Sequence, residues 1–155
     1  MIPEMPNPDD FLQEVEQEQQ LDIDLGVTFL FDYEKGDFVL ENGSPVEVTD
    51  IEAVKAWITK MLKTEQGKYE AYESELYAEN PDYRYGTKIR EIAIQHIATD
   101  YKKAEIKREL EEKVTRHPRI SFLSDFRFEQ EDECMTIYFR VNLIDGDSFE
   151  YEGVI

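Results

Sequence analysis

The C-terminal part of the chain alternates apolar and polar side chains over residues 136–143. Ile137, Phe139, Val141 and Leu143 occupy one parity, and Thr136, Tyr138, Arg140 and Asn142 occupy the other. Successive side chains of a β-strand point to opposite faces, so this pattern predicts a strand with one buried face. The Asp145-Gly146 pair that follows is typical of a tight hairpin turn and precedes a further strand, SFEYEGV.

A strand is also predicted before these two, because Ile120, Phe122, Phe126 and Phe128 share one parity. The acidic stretch EQEDE connects it to the next strand. We therefore expect the chain to end in a three-stranded antiparallel meander.

The first half of the chain combines a hairpin with helical periodicity. The β-prone runs VTFLFDY and DFVL are separated by a turn at Gly36, and a second turn, ENGSP, follows. Ile51, Val54, Ile58 and Met61 then recur at helical spacing after a cap at Thr49 or Asp50, with an end near Gly67. KYEAYESELY is predicted to be a short strand or extended loop.

Two further helical stretches precede the meander, with a break near Thr99. Ile89 and Ile92 mark the first, and Ile106, Leu110 and Val114 recur every four residues in the second. These patterns predict an α+β fold: a small antiparallel or mixed sheet with a C-terminal three-stranded meander, packed against two to three helices.

Composition supports one domain preceded by an arm. The chain has 155 residues, of which 41% are hydrophobic, enough for a single core. Residues 1–25 carry eight acids and no Lys or Arg, so we expect a solvated acidic arm there. Residues 26–155 are predicted to form the domain.

The formal net charge of −19 disfavours nucleic acids and anionic membranes as partners, because both require clustered cations. No apolar run is long enough to span a bilayer, and the N-terminus lacks the features of a signal peptide, so we expect synthesis in the cytoplasm. Cys134 is the only cysteine, and a small buried side chain is expected there.

The stretch TRHPRISF, residues 115–122, gathers cations around a proline. Pro118 should end the preceding helix, because its ring cannot continue the hydrogen-bond ladder. A basic ridge, Lys102 to Arg119, is predicted before and at this corner. Arg116 and Arg119 are its best candidates for contacts, since a guanidinium can form a fixed bidentate bond.

We expect no catalytic, cofactor or metal site. His117 has no recognisable nucleophile partner, and His96 beside an apolar stripe is expected at the edge of the core. Glu73 and Glu75 form a carboxylate pair of the kind expected by chance in such an acidic chain. Nucleotide-binding and zinc-peptidase motifs are absent from the sequence.

Several segments, in order, resemble the baseplate wedge or sheath-initiator family of contractile phage tails and related injection machines. They are FDYEKGDFVL, VTDIEAVKAWITKMLKTEQGKYEAY, Tyr85-Gly86, HPRI, and FLSDFRF with MTIYFRVNLIDGDSFEYEGV. The resemblance covers residues 27–155 and is strongest to the branch from phages and phage-like particles of Gram-positive bacteria. In the family's Glu-Pro-Arg signature, Pro118 and Arg119 match and His117 stands in place of the glutamate. In the family's helix-end motif, which corresponds to residues 64–67, Gln66 stands in place of an arginine.

The resemblance implies a structural protein of the virion tail baseplate, present in several copies that follow sixfold symmetry. Its implied partners are wedge proteins and the tail sheath protein, with tube or hub proteins as further candidates. The family has also carried a lysozyme-like label. A cell-wall glycan hydrolase and a small acidic binding or inhibitor module therefore stay open as alternatives.

A free sheet edge accepts a strand from another chain by β-augmentation. We therefore expect residues 136–142 and 148–154 to offer a sheath-facing edge, and Pro118 with Arg119 to anchor the wedge side. The predicted protein-binding residues are Arg116, His117, Pro118, Arg119, Thr136, Tyr138, Arg140, Asn142, Phe149 and Tyr151.

Overall fold

The computed structural model describes residues 28–68 and 85–155. Its strands are β1 (Thr28–Phe29), β2 (Phe31–Asp32), β3 (Asp37–Phe38), β4 (Leu40–Glu41), β5 (Ser44–Pro45), β6 (Glu47–Val48), β7 (Ile120–Glu131), β8 (Cys134–Leu143) and β9 (Ser148–Val154). Its helices are α1 (Asp50–Lys63), α2 (Ile89–Ile94) and α3 (Thr99–Val114). The predicted α+β class is confirmed.

The first six strands form three two-stranded antiparallel pairs that join three bent segments, each of which pairs with the other two; together they are called the first small sheet. β2 pairs with β3, β4 with β5, and β1 with β6. At the bends, Leu30 N–H donates to Val46, Val46 N–H to Val39, and Val39 N–H to Leu30, all at 2.9 Å. The predicted hairpin and turn are both present, and positive φ angles of 52° at Asn42 and 82° at Gly43 match a two-residue hairpin loop.

Helix α1 buries the apolar stripe that its sequence predicts. Ala53, Val54, Ile58 and Met61 lie in the core. Thr49 occupies the N-cap position, but its side chain makes no capping hydrogen bond, and the helix ends at Lys63 rather than near Gly67. The predicted extended segment KYEAYESELY, with Glu73 and Glu75, lies outside the described residues.

Helices α2 and α3 confirm the predicted break, because α2 ends at Ile94 and α3 begins at Thr99. Ile106, Leu110 and Val114 are fully buried. His96 lies in the exposed connection between the helices, so its predicted place at the core edge is wrong. The apolar stripe ends with Ile92, and the chain leaves the core before it reaches His96.

The C-terminal meander has the strand order β7-β8-β9, as predicted. Ile137, Phe139, Val141 and Leu143 are buried on one face of β8. Helix α1 packs against β9 and helix α3 against β7, so the core lies between these helices and one face of the meander.

The predicted parity of β7 is wrong in its first half. Register shifts between Ile120 and Phe122 and between Ser124 and Arg127 each place one extra residue in β7. A one-residue bulge moves the following side chains to the opposite face. Leu123 is therefore buried and Phe122 is 55% exposed, while Phe126 and Phe128 return to the core side.

Cys134 is exposed at the start of β8, which corrects its predicted burial. The side chain lies beside the β7–β8 turn, where the alternation has only begun. Met135 is the first residue of β8 that the core covers.

Candidate protein-binding surfaces

The corner between α3 and β7 holds His117 inside the protein. The His117 N–H donates to the Val114 carbonyl at 3.1 Å, and the His117 carbonyl accepts from Ile120 N–H at 3.0 Å. The imidazole is buried and meets the Trp57 ring edge-on, with 4.6 Å between ring centroids. The histidine side chain is therefore part of the fold, and its predicted protein-binding role stays a prediction.

The protonation state of His117 is set by the same packing. Its Nδ1 accepts a hydrogen bond from the Arg119 N–H at 3.2 Å, which requires an unprotonated Nδ1. Burial, followed by the nearby Arg119 charge, lowers the pKa of His117 below its usual value of 6.5. The neutral imidazole thus closes the corner from inside.

Arg119 points to acids of its own chain. Its guanidinium lies 3.5 Å from Asp145 and 4.0 Å from Asp50, and its side chain is 19% exposed. Arg116 is paired in the same way with Glu112 at 3.0 Å. Pro118 is the exposed residue of the corner.

The predicted basic ridge of α3 is divided by ion pairs and burial. Arg108 pairs with Glu105 at 2.9 Å, and Lys107 approaches Glu111 at 3.9 Å. Lys113 is 2% exposed, and burial, then the Arg116 charge, lowers its pKa. The ridge is therefore not a continuous positive surface, because the intervening glutamates lie one helical turn from the cations.

The outer face of β8 carries four predicted contact residues, Thr136, Tyr138, Arg140 and Asn142, all half-buried. Arg140 Nε lies 3.0 Å from Asp125 Oδ2, and the guanidinium of Arg127 lies over the Tyr138 ring at 4.3 Å. These side chains form a polar face opposite the core. However, β8 is hydrogen-bonded to β7 on one side and β9 on the other, so residues 136–142 do not form an edge.

Strand β9 is an edge strand among the described residues. Met135 and Ile155 exchange both of their backbone hydrogen bonds. Because such pairs alternate along an antiparallel ladder, the backbone groups of Ser148, Glu150, Glu152 and Val154 point away from β8. This edge is free of bulges over its paired length.

The aromatic side chains of β9 face the core side. Tyr151 is 8% exposed, and its hydroxyl lies 2.7 Å from the hydroxyl of Thr59 on α1. Burial raises the pKa of the Tyr151 phenol. Phe149 is half-buried beneath the Lys55 ammonium. The Tyr151 side chain is therefore part of the core, and the assignment of Phe149 and Tyr151 as protein-binding residues stays a prediction.

Comparisons with known proteins match this sequence to a family. The model of the contractile injection system sheath initiators matches residues 27–146, from just before β1 to the turn that precedes β9. The chain belongs to this family. This sheath initiator is also similar to the phage-like element PBSX protein XkdS of Bacillus subtilis strain 168, with 28% identity over 144 residues, which cover 92% of the chain and 91% of that protein.

Family membership confirms the predicted resemblance, including its connection to phage-like elements of Gram-positive bacteria. It gives this sheath initiator a structural role in a contractile tail and supports the expectation that it is not an enzyme. Within residues 28–68 and 85–155, no helix combines the length and apolarity needed to cross a bilayer. The same ranges contain no cluster of acidic, histidine or cysteine side chains suited to a metal ion.

An apolar groove that the sequence patterns did not predict lies between the first small sheet and α1. The groove has a volume of about 1170 Å³. Among its lining residues are Phe29 and Phe38 from the sheet and Trp57 from α1, with His117 at the base of the corner. The signal in the sequence was the aromatic content of these runs: VTFLFDY has Phe29, Phe31 and Tyr33 on one parity, and DFVL adds Phe38.

Proposed function

We propose that this sheath initiator joins baseplate wedge proteins to the first sheath ring and templates that ring by accepting a sheath strand along β9. The observation that carries the proposal is the regular outer edge of β9. Four residues there, Ser148, Glu150, Glu152 and Val154, direct backbone groups away from the sheet. An added strand would pair with these groups and extend the meander.

Strand β7 is the other edge of the meander, but it suits strand addition less well. Its two register shifts, one of them beside Asp125 with a φ of 54°, interrupt the ladder. Bulges of this kind twist an edge and protect it from pairing. The unbroken register of β9 therefore favours β9 as the sheath-facing edge.

Pro118 is proposed as the wedge-side contact, because it is exposed at the corner between α3 and β7. The guanidinium of Arg119 supports this corner from within through Asp145. In this arrangement the wedge contact and the sheath edge lie at opposite ends of the same continuous segment, residues 118–154. Several copies placed by the sixfold tail would present equivalent edges to the first ring.

A glycan hydrolase is the weaker alternative. Catalysis by a carboxylic acid requires a group whose pKa is raised, so that it keeps its proton near neutrality. The described carboxyls with a displaced pKa, Asp32 and Glu65, have it lowered, by backbone hydrogen bonds from Lys35 and by a Lys68 hydrogen bond, respectively. An acidic inhibitor module would need no free strand edge.

A proline substitution in β9 tests the proposal. Glu152→Pro removes one outward N–H while leaving the hydrogen bonds to β8 in place, a position at which edge strands tolerate proline. Glu152→Gln makes the side chain neutral and keeps the N–H, so it is the matched control. We expect Glu152→Pro to give folded protein and sheathless tails by electron microscopy, and Glu152→Gln to give sheathed tails.

Normal sheaths on Glu152→Pro tails would contradict strand addition at β9. Circular dichroism and a denaturant midpoint close to that of the control would show that the variant protein is folded. Co-expression with wedge proteins should then still recover their complex with the Glu152→Pro variant, because the corner at Pro118 is unchanged.

A further inference from the structure

We propose that the groove between the first small sheet and α1 is filled by the chain's own residues 21–25, LDIDL, acting as an intramolecular ligand. This inference is independent of the proposed sheath edge, since the groove and β9's outer edge are separate surfaces. Its basis is the apolar lining of the groove, its charge, and the point at which the described chain begins.

The groove has an apolar floor that the described residues leave accessible. Phe29 and Phe38 are 45% and 48% exposed, although their rings contact each other with 6.3 Å between centroids. Trp57 lines the opposite wall and is only half-buried. Exposed aromatic groups concentrated in one concavity mark a binding surface rather than the scattered apolar exposure of an ordinary protein surface.

The groove is basic within a strongly acidic protein. Among the described residues that line it are three lysines, Lys55, Lys60 and Lys63, and one acid, Glu52, which pairs with Lys55 at 2.9 Å. The chain as a whole has a formal net charge of −19. Complementary charge selects partners for such a surface. An acidic segment with apolar side chains is therefore the occupant that the groove fits.

Residues 21–25 have this chemistry. Leu21, Ile23 and Leu25 alternate with Asp22 and Asp24, so an extended segment would place three aliphatic side chains on one face and two carboxylates on the other. In the proposed arrangement, the aliphatic face would pack against Phe29, Phe38 and Trp57, and the carboxylates would pair with lysines of α1.

The length of the connection also fits. Thr28, the first described residue, itself lines the groove. In an extended chain, the seven residue-to-residue steps from Leu21 to Thr28 span about 23 Å, and the 14 residues of α1 rise about 21 Å. The segment can therefore lie along the helix without any intervening loop, and its attachment gives it a high effective concentration.

Trp57 provides a direct measurement in the full-length protein because it is the only tryptophan. Ile23→Asp would place a carboxylate against an apolar wall, so we expect it to release the segment and raise acrylamide quenching of Trp57 about two-fold. Met5→Asp makes a comparable change elsewhere in the acidic arm and should leave quenching unchanged. An unchanged quenching constant in Ile23→Asp would overturn the proposal.

A charge-reversal pair tests the electrostatic part. Asp22→Lys with Asp24→Lys should raise Trp57 quenching, whereas Asp9→Lys with Asp10→Lys, which changes the total charge equally, should not. Equal responses from the two pairs would overturn the proposal, because they would reflect overall charge rather than local contact.

A cysteine pair distinguishes the possible occupants. In a Cys134→Ser background, Ile23→Cys with Ala56→Cys, a position in the groove wall, should form an intramolecular disulfide, and Met5→Cys with Ala56→Cys should not. A disulfide-linked dimer would assign the groove to a second copy and overturn the proposal. Shielding of Trp57 only after wedge or sheath protein is added would also overturn it.

Discussion

Arg119 Nη2 lies 3.5 Å from Oδ2 of Asp145, across the space between the α3–β7 corner and the β8–β9 turn. The chain is also joined here through backbone, because Ile144 N–H donates to the Arg119 carbonyl at 3.0 Å. The arginine that sequence analysis assigned to a partner thus makes its described ion pairs within the domain. In the proposed assembly, its contribution would be to hold Pro118 in position.

The Arg119–Asp145 pair should show a small coupling energy. Because both side chains retain solvent contact, we expect a double-mutant cycle of Arg119→Met and Asp145→Asn to give about 0.5–1 kcal/mol in the free energy of unfolding. The same cycle with Asp50→Asn should give less, since that carboxylate is 4.0 Å away and 84% exposed. Urea denaturation measures both, and a larger coupling to Asp50 would contradict this geometry.

The free energy of unfolding should decrease as the pH is lowered, because His117 becomes protonated. Burial lowers the pKa of His117 in the folded protein below 6.5, its value without the fold, so the unfolded chain binds the proton more readily. The contribution of His117 is therefore complete above pH 6.5 and is lost as the pH falls through the lower folded pKa.

His117→Asn is the control for this pH dependence, because asparagine keeps a hydrogen-bond acceptor for Arg119 N–H and does not titrate. We expect urea midpoints of the wild type to decline more steeply than those of the variant below pH 6.5. Parallel pH profiles would contradict a role for His117, since the carboxylates that titrate at lower pH are the same in both proteins.

Gly86 should tolerate alanine less well than Gly146. Both have positive φ angles, 97° and 93°, so alanine is strained at either position. A Cβ at Gly86 would also lie 2.6 Å from the Thr64 carbonyl oxygen, whereas a Cβ at Gly146 meets no atom within 4 Å. We expect Gly146→Ala to cost about 1 kcal/mol and Gly86→Ala about 1–3 kcal/mol more, measured by chemical denaturation; equal losses would contradict the close approach.

Because of the bulges of β7, truncating two adjacent residues should change the free energy of unfolding by very different amounts. Leu123 is 7% exposed and Phe122 is 55% exposed. Leu123→Ala should therefore cost about 2–5 kcal/mol of unfolding free energy, and Phe122→Ala only about 0.5 kcal/mol. Thermal and urea denaturation measure both losses. A larger loss for Phe122→Ala would contradict the bulges, because it would mean that β7 alternates without interruption.

Local patterns predicted the elements with the clearest periodicity. The buried face of β8 and the stripe of Ile106, Leu110 and Val114 were predicted correctly, because one side of each element meets the core along its whole length. The turns at Gly43 and Gly146 were also predicted, because asparagine, aspartate and glycine are the residues that most readily adopt a positive φ. Of the two strands predicted to offer an edge, β9 lies at an edge of the described meander and β8 lies in its centre.

Amino-acid sequence alone determined the α+β class, the order of strands in the meander and the helix end before Pro118, because periodicity, turn residues and proline act over a few neighbours. Only the tertiary structure decided the register shifts of β7, the burial of His117 against Trp57 and the pairing of Arg119 with Asp145. These features join residues far apart in the chain, and which partners meet depends on how α1, α3 and the meander pack together.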